Sequence, residues 1–317
     1  MSLVRSGLRP VAVVVAFTVF GILSGCGSKD SAAPAAAGTA VKPEFADAVK
    51  ALEAAGAYVS IGPEGEPQAV TFTGDKVNDA VFQQIAGMNH LIQLHVTKTA
   101  ITDASMSALD GKNELRVLNM YDNQGVTDAG MAHLAGLTAL KKLNLNNQPI
   151  TDAALAHLSG LKNLEELQIT SDQVTGEGLQ HLSGERALTA LWLSGGSVTG
   201  AGLAHLTGIP RLEELHLAGA QVNSQTLEGL SGNPTIKSLF LNKTQVGDDG
   251  LVHLKGMPQL ASLILEGTQV TDAGLEHLAA IPTLTAVNLA ETSVSADAAK
   301  KFIEEHPQVG VAYVFPR

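Results

Sequence analysis

The chain has one cysteine, Cys26, in 317 residues, so no disulfide can form within it. Aromatic residues supply only 4% of the sequence, with Trp192 the one tryptophan, whereas glycine reaches 32. That is a poor recipe for a compact core of this length, and an elongated, repetitive build suits it better. Long apolar runs are missing too. The longest, Val11 to Leu23, falls short of the roughly 20 residues needed to cross about 30 Å of hydrocarbon, which weighs against a permanent membrane span. Basic residues number 20 against 31 acidic ones, and a net charge of −11 disfavours nucleic acid and anionic lipid as partners. No nucleophile elbow, phosphate-cradling glycine loop or helical histidine pair of a zinc protease is present, so the expectation is no enzyme, no cofactor and no metal. Gly247-Asp248-Asp249-Gly250 lacks the spaced oxygens of a calcium loop.

The N-terminus is ordered as a secretory signal: Arg5 and Arg9, the apolar run, then the small residues Ser24 and Gly25 before Cys26. Leu23-Ser24-Gly25-Cys26 resembles the bacterial lipobox. The resemblance implies a signal peptide over 1–25, cleavage before Cys26, and a lipid on its sulfur that anchors the chain to a membrane of the cell envelope. Gly27, standing where a retention aspartate can occur, favours an outer-membrane address within that resemblance. An ordinary signal peptide with an incidental cysteine is the alternative. Residues 26–42, rich in Ala, Ser, Gly and Pro, read as a flexible tether.

Beyond the tether the same phrase returns at a fixed interval. Units open at Leu91, Leu115, Leu140, Leu164, Leu188, Leu212, Ile236, Leu260 and Leu284, 24 residues apart except for one interval of 25, where Gly125 looks inserted between Asn123 and Val126. A worn copy precedes them, with Val70, Phe72, Val77, Asp79, Ile85 and Gly87 in frame. Each unit holds an alternating stretch such as Leu143-Asn144-Leu145, a turn, and a helical stripe such as Leu155, Leu158 and Leu161. Thr and Asp at the junction, as in Thr151-Asp152, are suited to cap the helix. Gly136, Gly160, Gly184, Gly208, Gly232 and Gly256 stand where a left-handed residue can end it. Burial of seven or so aliphatic side chains at ~1.5–3 kcal/mol each cannot offset the ordering of a whole unit at ~1–2 kcal/mol per residue, so a unit stands only when stacked on its neighbours.

The frame L-x-x-L-x-L-x-x-T-x-V-T-D-A-G-L-x-H-L resembles the leucine-rich-repeat family in its 24-residue bacterial form, as at Thr127 to Leu134 and Thr271 to Leu278. The resemblance covers roughly Pro67 to Pro307. It implies an α/β fold, a right-handed horseshoe solenoid with parallel strands on the concave face and helices on the convex one. The ninth frame position departs from the family's usual Asn or Cys, and Gly196 and Ala220 there predict gaps in the turn's hydrogen-bond ladder. The repeats occupy 67–308, with a helix-strand cap over 43–66 and a closing strand within 309–317.

Strand alternation points frame positions three, five and seven out of the concave sheet. Position five runs His95, Asn119, Asn144, Gln168, Trp192, His216, Phe240, Ile264, Asn288. Trp192, His216, Phe240 and Ile264 therefore place large groups on a face that water should reach. Small flanking residues, Ala190, Ser194, Ala218, Ser238 and Ser262, should let them protrude. An apolar patch with a polar rim marks a recognition surface for a protein partner, or for a second copy of the chain in a self-associating structural protein. Cross-strand neighbours that merely stabilise the sheet are the competing interpretation. Tyr121, Lys142, Glu166 and Glu214 are candidate rim residues, the two glutamates being either solvated strand charges or a rim for a basic partner. His133, His157, His181, His205, His253 and His277 share one slot on the helical side; metal binding is one reading, packing and bonds to neighbouring turns the better one.

Overall fold

The computed structural model describes residues 39–196 and 198–313; Cys26 and its lipobox lie outside them. Among the described residues twelve strands form one open sheet in chain order. They are β1 (Tyr58–Ile61), β2 (Pro67–Thr73), β3 (Gln93–Thr97), β4 (Val117–Tyr121), β5 (Lys142–Asn144), β6 (Glu166–Thr170), β7 (Ala190–Ser194), β8 (Glu214–His216), β9 (Ser238–Phe240), β10 (Ser262–Ile264), β11 (Ala286–Asn288) and β12 (Gly310–Ala312). From β2 onward every pairing is parallel and in frame, as in Leu94↔Leu118↔Leu143↔Leu167. This is a right-handed leucine-rich-repeat solenoid, its strands on the concave face. At the start, the helix Pro43–Ala54 leads into β1, which runs antiparallel to β2. At the other end the helix Ala296–Glu305 precedes β12.

The core is a column of aliphatic rows. Frame positions one, four and six are buried throughout, for instance Leu164, Leu167 and Ile169, while most alternate strand positions stay half-exposed, Ala190, Ile264 and Ala286 being buried and Glu214 exposed. The extra residue before Val126 is corrected to Gln124: Gly125 makes the same bridge to the preceding repeat, Thr102↔Gly125, that Ala100 makes to Asn78 and Gln245 to Asn223, while Asn123 keeps its frame place beside Thr99. A β-carbon on Gly125 would lie 2.4 Å from the Ile101 carbonyl oxygen, so the turn after the extra residue tolerates no side chain there.

Three further sequence expectations are corrected. The convex connections are mostly one-turn α or 3-10 pieces, such as Asp152–Ala156 and Glu177–Leu182, because 24 residues leave little length between strands. Of the six recurring glycines only Gly184 and Gly232 are left-handed. Both follow a residue, Ser183 or Ser231, that closes a 3-10 segment with an extended ψ, and a turn of that shape requires positive φ at its next position. Third, Thr and Asp do not cap the same turn. Thr151 accepts from its own Ala153 N–H, whereas the aspartate reaches sideways to the following repeat.

Those aspartates form a ladder. Asp103 accepts from Thr127 N–H and hydroxyl, both at 2.7 Å, and from Gly130 N–H at 2.9 Å. Asp128 serves Thr151 in the same way, Asp248 serves Thr271 and Asp272 serves Ser295. In three successive repeats the slot holds Gly176, Gly200 and Ser224 instead. A cleft of about 640 Å³ opens on the helical side at this gap, lined in part by Thr199, Gly200, Asn223 and Thr226.

Candidate functional site

Two of the three successive repeats whose ladder slot holds Gly176, Gly200 or Ser224, those opening at Leu188 and Leu212, carry Trp192 and His216. Departure from the repeat is thus concentrated on both faces of the same units. Parallel pairing places Trp192 opposite His216, His216 opposite Phe240 and Phe240 opposite Ile264. The strand spacing of about 4.8 Å sets the rings at stacking distance. Trp192 and His216 lie with centroids 4.5 Å apart and planes 16° from parallel; His216 and Phe240 lie 3.8 Å apart at 10°.

The four side chains expected to protrude do not. Trp192, His216 and Phe240 are half-buried and Ile264 is only 8% exposed, because each ring is covered by the next along the row. The small flanks are covered with them, Ala190 to 6% and Ala218 to 9% exposure. The surface is a dense ladder, continued in register by Gln168 beyond Trp192 and by Ile264 beyond Phe240.

Burial between two rings pushes the His216 imidazole down to about 4. Its Nε2 has no hydrogen-bond partner and lies 3.6 Å from the Glu214 carboxylate, so at neutral pH the ring is an uncharged part of the stack. Glu214 is shifted the other way: burial first, then the negative charges of Glu166 and Glu213, raise its carboxyl above the ordinary value. Lys142 pairs with Glu166 at 3.0 Å and Lys237 with Glu213 at 2.8 Å. Tyr121 lies three strands away on β4, where its hydroxyl accepts from Asn147 Nδ2 at 3.2 Å and Lys98 Nζ sits 6.0 Å from the ring centroid. The structure therefore assembles Trp192, His216, Phe240 and Ile264 with Glu166 and Glu214, links Lys142 to them through Glu166, and leaves Tyr121 apart.

Because Trp192 is the sole tryptophan, its emission reports on this stack. Emission is expected to change with a midpoint near pH 4, as His216 gains its proton against the indole, and the step should vanish in His216→Phe. A step near pH 6.5 would place the imidazole in water. Since the native value lies below that of the unfolded chain, the imidazole contributes nothing above about pH 6.5 and lowers stability as pH falls from there towards 4.

On the convex side, His133 Nδ1 meets Asp110 at 2.9 Å and His205 Nε2 lies 3.7 Å from Glu177, both on the preceding turn. No cluster of three or more His, Cys, Asp or Glu side chains able to hold a metal is present among the described residues. Sequence reading missed the aspartate ladder's sideways reach, and it missed the buried polar side chains Lys112, Glu185 and Asn233, which occupy a slot held elsewhere by Leu137, Leu161, Ile209, Met257 or Ile281. A reading down that slot would have found them.

The fold, with its rows of in-register side chains, is that of a leucine-rich-repeat solenoid. Among solved structures the chain is similar to an internalin from Listeria monocytogenes, at 17% identity and a TM-score of 0.50, over 74% of this chain and 70% of that one. It is also similar to the leucine-rich-repeat ectodomain of a plant membrane receptor kinase from Arabidopsis thaliana, solved in complex with Casparian strip integrity factor 2, at 18% identity and a TM-score of 0.48; there the likeness covers 75% of this chain and 29% of that one. At these identities the likeness is one of fold. No family model and no curated protein matches the sequence.

Proposed function

We propose that the chain is a non-catalytic recognition and scaffolding module of a bacterial cell envelope, anchored through a lipid on Cys26 and engaging a protein partner on its concave face. Trp192, His216, Phe240 and Ile264 form the contact ladder; Lys142, Glu166 and Glu214 border it, and Tyr121 extends the face towards β4. The observation that carries this reading is the aromatic row itself. Six repeats place His, Asn or Gln at frame position five, whereas β7 and β9 place Trp192 and Phe240 there, with the rings of Trp192, His216 and Phe240 half-exposed on the open sheet. Aromatic side chains in a desolvated row are what protein interfaces use as anchors.

The Trp192→Ser/Phe240→Ser pair is the test. Capture of partner protein from an envelope extract is expected to fall at least tenfold, while the circular dichroism melt gives up only the about 1–2 kcal/mol that ring stacking contributes at a half-exposed site. Unfolding of the variant would instead make the row a packing element of the sheet, and retained capture would remove the face from recognition. Sedimentation of the wild type at rising concentration separates a hetero-partner from a second copy of this chain. The anchor has its own assay: wild type incorporates labelled fatty acid and Cys26→Ala does not, and an unlabelled wild type refutes it.

A further inference from the structure

His216 is the one polar ring of the stack, and it stands inside it. Trp192 and Phe240 cover its two faces, at centroid distances of 4.5 and 3.8 Å and within 16° of parallel. Its Nε2 is buried and has no hydrogen-bond partner. A neutral imidazole tolerates such a place, whereas a charged one loses water on both faces and finds no acceptor. Attraction of a cation to the two rings offsets part of that loss, but burial prevails and lowers the imidazole from 6.5 to about 4. A bound proton therefore shifts the balance from stacked to released imidazole by about 300-fold.

The surroundings give the released ring one destination. The concave positions flanking it on β7 and β9, held by Ala190, Trp192, Ser194, Ser238 and Phe240, carry no titratable group. Among the described residues Glu214, on the same strand and 3.6 Å from Nε2, is the one carboxylate within 4 Å of the ring nitrogens. Glu166 and Glu213 act on Glu214 by raising its carboxyl, and are themselves paired with Lys142 and Lys237. An arriving cation relieves that crowding.

The space left behind has a definite width. Strand pairing holds Trp192 and Phe240 on either side of β8, and the two stacking distances put their ring centroids about 8 Å apart. One flat ring, stacked on both sides, fills that width. Ala190, Ser194, Ala218 and Ser238 are too short to fill it.

We propose that His216 is an acid-released plug: once protonated, it turns out of the stack towards Glu214 and opens a slot between Trp192 and Phe240 that takes one flat, uncharged aromatic side chain of the partner protein. The slot belongs to a minor state that the proton makes dominant. The proposal rests on the recognition reading above and adds the regulation and chemistry of its central contact.

Quenching of Trp192 emission in the intact protein measures the slot, with nitrobenzene, flat and uncharged at every pH, as probe. Nitromethane, which carries the same quenching group without a ring, is the control. At pH 6.5 both should quench wild type in proportion to concentration, as collisions do. At about pH 3.5 nitrobenzene quenching is expected to saturate, with an initial slope at least tenfold steeper than at pH 6.5, while nitromethane stays linear. His216→Ala, which removes the plug, should saturate already at pH 6.5; His216→Phe, which keeps a ring without a proton site, should saturate at neither pH. Linear quenching of wild type at about pH 3.5, linear quenching of folded His216→Ala, saturation in His216→Phe, or loss of the wild-type far-UV circular dichroism signal at about pH 3.5 would overturn the plug. If His216→Ala does not fold, the wild type at the two pH values decides alone. Partner capture separates the two claims. If Trp192→Ser/Phe240→Ser loses the partner while nitrobenzene never saturates, recognition stands and the plug falls; if the aromatic pair keeps the partner, the recognition reading falls whatever nitrobenzene does.

Discussion

Replacing Asp152 with alanine is expected to cost about 2–4 kcal/mol and to open the solenoid from that point. Its carboxylate is the last rung of the ladder before the gap, and it accepts from the Thr175 hydroxyl at 2.6 Å, Thr175 N–H at 3.1 Å, Gly176 N–H at 3.1 Å and Gly178 N–H at 3.0 Å. Truncation leaves three backbone donors without their acceptor in a partly buried turn, and hydrogen bonds to a charged group contribute roughly 1.5–3 kcal/mol. A β-carbon on Gly178 would lie 2.6 Å from the Asp152 carbonyl oxygen, so the two turns are pressed too closely for a new side chain to replace the lost bonds. The loss should surface first as hydrogen exchange at residues 175, 176 and 178, since a stacked repeat depends on its nearest neighbours. An unfolding free energy unchanged within about 0.5 kcal/mol (roughly twofold in the folding constant) would show the ladder to be ornamental.

The pH dependence of that loss has a definite sign. Burial acts to raise the Asp152 carboxyl, but the hydrogen bonds from Thr175, Gly178 and Gly176 outweigh it and hold the group below its ordinary value of 3.8. A carboxylate lowered in the native state stabilises the fold fully above the unfolded value and loses that contribution as pH falls through the native one. Wild type and Asp152→Ala should therefore differ most at neutral pH and converge in acid below about 3.8.

How far these features could be read in advance follows from what repetition encodes. The frame alone located the strands and their register, because a one-residue slip would turn Leu143 or Leu167 out to water. It also placed Trp192, His216, Phe240 and Ile264 in one row, and it found the one extra residue but assigned it to Gly125, where the bridges make it Gln124. What it could not supply was the direction in which a side chain leans. Trp192 and Phe240 were expected to stand up from small neighbours; in the structure the row's spacing makes stacking on His216 the tighter arrangement. Thr151 and Asp152 were read together as one cap, since a linear phrase does not say which oxygen serves its own turn and which the next. Lys112 escaped notice because the slot it shares with Glu185 and Asn233 is apolar in the other repeats, and a polar residue in a linear phrase gives no sign of its burial.

That lysine carries the last expectation: Lys112→Met should stabilise the protein by about 1–3 kcal/mol at pH 7. Lys112 is fully buried, its Nζ donating to the carbonyls of Ala86 at 3.2 Å and Met88 at 3.3 Å with no carboxylate beside it. Burial lowers it from 10.5 to about 8. A shift of that size corresponds to about 3 kcal/mol of opposition to the charged form. Methionine removes the charge and fills the same volume, and Met88 and Met257 hold this slot in other repeats. Against the gain stand two carbonyls deprived of a donor, at about 1 kcal/mol, which is why the net is less than the full shift. The direction is set by the protons bound in each state. Between about 8 and 10.5 the unfolded lysine still holds a proton that the native one has released, so wild-type stability should climb with pH across that window and be flat below it. In Lys112→Met this climb should disappear, so that the two proteins differ at pH 7 and draw together by pH 10.5. A variant less stable than wild type at pH 7, with the slope intact, would mean that the ammonium's two carbonyl bonds outweigh its desolvation and that the lysine is a fastening between repeats.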